Sequence, residues 1–146
     1  MDKRTGKKSK TIIGPKYDRG VFGISLSSAN AVIPDYPVFS LSHLMTGYSV
    51  NDCNKEQKAH FISKLAKMAH QTWDDLENSS HWSGAGFEKI AKESFKVSLP
   101  KIITEDVQKL YVMRFKEEYR MIGNRSDNVY YITHIELDKS AYNHGS

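Results

Sequence analysis

The chain has one cysteine, Cys53. No intrachain disulfide can form, and with no evident base and partner at nucleophile spacing the default reading is a buried or idle thiol. Long apolar runs are missing too, so nothing approaches the ~20 residues that span a bilayer. The charged start MDKRTGKKSK is not followed by an apolar stretch of signal-peptide length, and the expected compartment is the cytoplasm, with no membrane association. The six histidines, His43, His60, His70, His81, His134 and His144, form no HxxxH and have no CxxC to join, so no metal or cofactor is expected. SGAGFEK lacks the GxxxxGK[ST] pattern of a phosphate loop, and no GxSxG is present, which leaves nucleophile-elbow hydrolases without support.

What the chain does have is the composition of a globular protein. Its 146 residues fit one domain, and 39% apolar against 26% charged residues, with a mean hydropathy of −0.56, supplies an ordinary core. The net charge of +4 is unevenly spread. Residues 1–20 hold seven Lys or Arg against two Asp, while the remainder holds 14 basic and 15 acidic side chains. The basic excess is therefore a property of a flexible leader over residues 1–20, and residues 21–146 are expected to form the single domain. As a phosphate-attracting arm the leader would suit RNA or the ribosome; as a solvated segment it needs no partner.

Along the domain, residues 21–33 read as a strand or a loop packed on the core. YPVFSLSHL, bounded by Pro34 and Pro37, reads as a short strand. From Asn54 the apolar residues Ile62, Leu65, Ala69, Trp73 and Leu76 recur at spacings of three and four, with Phe61, Met68 and Thr72 widening the same stripe, which predicts an amphipathic helix over 55–77 with Asn54 and Gln57 as its capping box. A shorter helix is expected over Phe87–Phe95. The last third predicts an antiparallel meander of LYVMRF, YRMIGNR and VYYITHIEL. Strict alternation along the last run would put Tyr130, Ile132, His134 and Glu136 on one face, and Val129, Tyr131, Thr133, Ile135 and Leu137 on the other.

The meander also carries Arg114, Arg120 and Arg125, with Tyr119, Tyr130, Tyr131 and Tyr142 interleaved. Guanidinium forks grip phosphate and phenol rings stack on unpaired bases, a combination that suits single-stranded RNA. The same residue types also serve as solvated edge arginines and packed β-forming tyrosines.

Order along the chain adds to this. A strand, a long helix, the segment Gly86-Phe87-Glu88, the run VMRFKEEYRMIG, a further strand and an end containing Tyr142 and His144 follow one another. This arrangement resembles the RelE/ParE/YoeB superfamily of bacterial toxins, and within it the YoeB-like ribonuclease branch, over about residues 36–146. Arg114 and Arg120 match the branch's paired strand arginines, Glu117 and Glu118 its acidic turn, and Tyr142 and His144 its C-terminal Tyr/His end. The interval from Glu88 to Arg114 is longer than in the family, and the terminal His and Tyr are not adjacent in the familiar order.

The resemblance implies an α+β fold in which one long and one short helix pack on one face of an antiparallel sheet, in the order β-α-α-β-β-β. It implies the toxin of a type II toxin–antitoxin pair, a metal-independent endoribonuclease that cleaves mRNA at the ribosome and is held by a cognate antitoxin protein. RNA brings its own nucleophile, the 2′-hydroxyl, so the protein needs a base, a charge clamp and an acid. By that likeness Glu88 is the base, Arg120 the clamp on the scissile phosphate and His144 the acid. Arg114, Arg125, Tyr119, Tyr142 and His134 are RNA contacts, with His134 the alternative acid and either Tyr142 or His144 the base-stacking group. A non-catalytic ParE-like toxin, or a nucleic-acid or protein-binding module, is the alternative.

Overall fold

Two capping boxes decide where the helices begin. Asn54 accepts the Gln57 backbone N–H and Gln57 accepts that of Asn54, both at 2.8 Å, and helix α1 runs from Lys55 to Met68. Thr72 and Asp75 repeat the arrangement and start helix α2 at Trp73–Glu77. The helix expected over 55–77 is thus two, because the second box offers its own start and the chain turns between them. Phe61 and Met68 are buried with Leu65 packed beside them, whereas Ile62 is 56% exposed. The expected stripe is therefore buried at Phe61, Met68, Trp73 and Leu76 and half-buried at Leu65, while Ile62 and Ala69 at its margin face solvent.

The computed structural model describes residues 35–78 and 87–144, which form one compact unit. The expected leader at 1–20 and the strand or loop at 21–33 lie outside the described residues. No helix among the described residues is long and apolar enough to cross a membrane.

Where a helix was expected over 87–95, the chain forms strand β2 at Glu88–Ala91 and then a single 3-10 turn at Lys92–Ser94. The physical reason is the alternation: Phe87 packs on one face of the sheet and Ile90 on the other, a period of two that a helix cannot satisfy. The first strand, β1 (Val38–Ser40), and the meander of β3 (Lys109–Lys116), β4 (Tyr119–Ser126) and β5 (Val129–Glu136) fall where the sequence places them.

The sheet order is β1-β5-β4-β3-β2. β2 to β5 are antiparallel, but β1 lies parallel to β5, so the sheet is mixed rather than wholly antiparallel and has one strand more than expected. The fold is α+β. Both helices cover one face, where Phe61, Met68, Trp73 and Leu76 meet Met113, Met121, Tyr130 and Ile132. The second face is not left wet. Leu110, Val112 and Ile122 are buried there under Tyr48, Phe95, Val97, Leu99, Ile103, Val107 and the returning Ala141 and Tyr142.

A bulge in β5 sorts side chains between the two faces. Ile122 pairs with His134 and Gly123 with Ile132, which leaves Thr133 without a partner in the register. Tyr130, Ile132 and Ile135 therefore face the helices, while His134 and Glu136 turn to the second face. The strict alternation expected along this strand is overturned by that one extra residue. The strands approach closely here: a Cβ on Gly123 would meet the Tyr131 carbonyl oxygen at 2.1 Å, so no other residue fits without a backbone shift. The Thr133 carbonyl, released from the ladder, accepts the Met45 N–H at 2.8 Å.

Candidate active site on the second sheet face

The register collects a polar row at one end of the second face. Arg114 and Arg120 are direct cross-strand partners, Arg120 is the partner of Glu136, and Glu88 pairs with Val112, two residues from Arg114 on the same face. Their carboxylates and guanidinium groups come from four successive strands. The chain after β5 then folds back over this row. Lys96 donates its N–H to the Ala141 carbonyl and Asn143 to that of Ser94, both at 2.9 Å, which pins Tyr142 and His144 in place.

Glu136 is the hub. Its Oε2 accepts the Ala141 N–H at 2.8 Å and faces His144 Nε2 at 3.0 Å, and it has no exposed surface. The other oxygen, Oε1, is buried without a hydrogen-bond donor among the described residues and lies 4.0 Å from an Arg120 nitrogen. The contact to Glu136 is made through Nε2, which fixes the ring and leaves Nδ1 as the ring atom available for other chemistry. The His144 ring is stacked on Tyr142 at 3.9 Å and 26°. Burial pushes the Tyr142 phenol up to about 12, modulated by the charges of Arg120, Glu136, Glu88 and Arg114. Tyr142 is therefore a neutral ring at physiological pH, and the same four charges mark its surroundings.

The two arginines differ in access. Arg120 is 7% exposed and donates from Nη1 to the Glu118 carbonyl at 2.7 Å, whereas Arg114 is half-buried and donates to the Glu117 carbonyl at 3.1 Å. Both hold the turn between β3 and β4 through its backbone carbonyls. Arg120, expected as the phosphate clamp, thus sits beneath the site as the countercharge of Glu136, and Arg114 is the guanidinium nearer to solvent.

Three expected contacts lie elsewhere. His134 is fully buried, with Nε2 donating to the Ser98 carbonyl at 3.1 Å and Nδ1 at 2.8 Å from the Thr133 hydroxyl. Burial holds its imidazole below the ordinary histidine range. Arg125 projects to the helical side, where it meets Asp35 at 2.6 Å and Glu77 at 2.7 Å and lies 4.5 Å over the Trp73 ring. Tyr119 packs on Phe115 at the helical face. Glu136 is the member that sequence reasoning left out: alternation put it on a face with Tyr130, and only the bulge brings it to Arg120. Cys53 is buried, and desolvation pushes its thiol up, in keeping with an idle side chain. Among the described residues no three His, Cys, Asp or Glu side chains gather as a metal site.

The arrangement offers a carboxylate-oriented imidazole, a second carboxylate and an accessible guanidinium on one rigid face, the components of acid–base chemistry at a phosphate ester. No protein-family model matches the chain, and neither does any curated protein or solved structure.

Proposed function

We propose that the chain is a metal-independent endoribonuclease of the RelE-like toxin type, acting on mRNA and paired with an antitoxin protein. One observation carries the reading: the Glu136–His144 contact lies beside the cross-strand pair Arg114–Arg120. Helices on one face of a β-meander, with a polar row at one end of the other face, support the reading.

In this mechanism Glu88 takes the proton of the ribose 2′-hydroxyl, whose oxygen attacks the adjacent phosphorus. Arg114 offsets the charge that builds on the phosphate oxygens. His144 enters the step as an imidazolium, with Nε2–H on Glu136 and Nδ1–H toward the substrate. The bond to the 5′-oxygen breaks as Nδ1 gives up its proton to that oxygen, leaving a neutral imidazole. The products are a 2′,3′-cyclic phosphate and a 5′-hydroxyl. Glu136 fixes the imidazole, Tyr142 props the ring, and Arg120 balances Glu136 from below.

The test is cleavage of mRNA by the purified protein, alone and with translating ribosomes. His144→Ala and Arg114→Ala are each expected to lower the cleavage rate by ~100-fold or more while the protein stays folded at the assay temperature by circular dichroism. Full activity in His144→Ala would remove the acid assignment, and no cleavage under either condition would remove the enzyme.

A second reading, a non-catalytic toxin or binding module, is favoured by the near-complete burial of Arg120 against Glu136. It expects growth arrest with intact message, and arrest that persists in His144→Ala.

A further inference from the structure

At the opposite end of the sheet, the segment before β3 and the paired ends of β4 and β5 enclose a cleft of about 580 Å³, a size that holds one small ligand. Its lining includes Gln108 and Asn124, which carry carboxamides, together with Tyr131 and Lys109. Asn124 and Tyr131 are direct cross-strand partners, so the ladder fixes their spacing. The Tyr131 ring is propped by the His43 imidazole at 5.9 Å.

Charge in the cleft is close to balanced. The Arg125 guanidinium is committed to Asp35 and Glu77. The lining also carries one further charge of each sign, Lys109 and Asp106, and the Asp106 carboxyl is held below its usual range by the Thr104 hydroxyl. A balanced wall is a weak trap for a phosphate alone. It suits an uncharged heterocycle, because each carboxamide presents a donor beside an acceptor, as a base edge does, and a phenol ring offers a stacking surface.

We propose that this cleft binds one unpaired nucleobase of an RNA strand, with Asn124 and Gln108 reading its edge, Tyr131 stacking and Lys109 reaching the attached phosphate. The choice of an RNA strand rests on the nuclease reading above, whose Arg120 lies four residues along β4 from Asn124, about 13 Å at strand rise.

Two probes separate the possibilities in the full-length chain: adenosine and uridine monophosphates, and a 2′-O-methyl RNA hexamer that cannot be cleaved. The expected result is hexamer binding that shifts the backbone NMR signals of Asn124 and Tyr131. Asn124→Ala and Tyr131→Leu should each weaken it roughly tenfold, and Lys109→Gln, at an exposed strand start, should weaken it severalfold. Thermal melts should be unchanged. Shifts with the monophosphates but no gain with the hexamer would overturn the RNA strand as the source. Message cleavage with no response at the cleft to either probe would overturn the cleft and leave the nuclease standing. A responsive cleft in a chain that cuts no RNA would support the cleft and remove the nuclease.

Discussion

Glu136 is a carboxylate with no exposed surface, held by one backbone N–H, one imidazole and a guanidinium 4.0 Å away. Removing the guanidinium leaves a buried charge without its main compensation, so Arg120→Ala is expected to cost about 3–5 kcal/mol in urea unfolding. The double variant Arg120→Met with Glu136→Leu should recover most of that loss, because neither charge then needs solvation. A double variant as unstable as the single one would show that the pair is not what Arg120 stabilises.

His134 carries a different linkage. Its folded-state imidazole titrates below the unfolded value through burial, so the unfolded chain binds more protons in the interval between the two. The stability this contributes is present above about pH 6.5, the unfolded value, and is lost as pH falls through the folded one. The unfolding free energy should therefore drop more steeply between pH 7.5 and 5.5 in the wild type than in His134→Gln. Parallel slopes would locate the acid sensitivity in other groups.

At the scale of elements, the decisive feature is the β5 bulge at Thr133. Gly123→Ala places a methyl against the Tyr131 carbonyl, and separating those strands is expected to cost about 3 kcal/mol, read as a lowered denaturation midpoint. An unperturbed midpoint would mean that the ladder yields freely there. The same feature explains what sequence alone left open. Alternation is a property of regular pairing, and where a bulge falls is set by how the two strands meet, here beside Gly123, against which the Tyr131 carbonyl packs. The helix break, by contrast, was legible: Thr72-x-x-Asp75 is a second capping box inside the apolar periodicity, which the spacing of apolar residues concealed. Strand β2 was not legible: Phe87 and Ile90 lie three residues apart, a spacing that fits one helix face, and only the pairing of Glu88–Ala91 with β3 puts their contacts on opposite faces.

At the scale of the molecule, Arg125 joins three parts of the chain: the β4–β5 turn through the Asp127 carbonyl, α2 through Glu77 and Trp73, and the approach to β1 through Asp35. Arg125→Lys keeps the charge and loses the fork and the stacked plane, and is expected to cost about 1–2 kcal/mol given the partial exposure of its partners. An unchanged melting temperature would show that the carboxylates are as well served by water. Glu77 serves this tie along with the Tyr111 hydroxyl, which donates to it at 3.2 Å, so the helical face is fastened by charge as well as by apolar contact.

The sequence by itself determined the start of α1, the short first strand and the three-stranded meander that makes the strands of Arg114 and Arg120 neighbours, because capping, alternation and turns act over a few residues. Tertiary structure decided the rest. The parallel docking of β1 on β5 joins residues about 90 positions apart. The return of Tyr142 and His144 over the sheet depends on backbone bonds to Ser94 and Lys96. The turning of Glu136 toward them needs the bulge opposite Gly123. Such pairings are chosen by which distant surfaces bury each other best, a comparison that no local pattern contains.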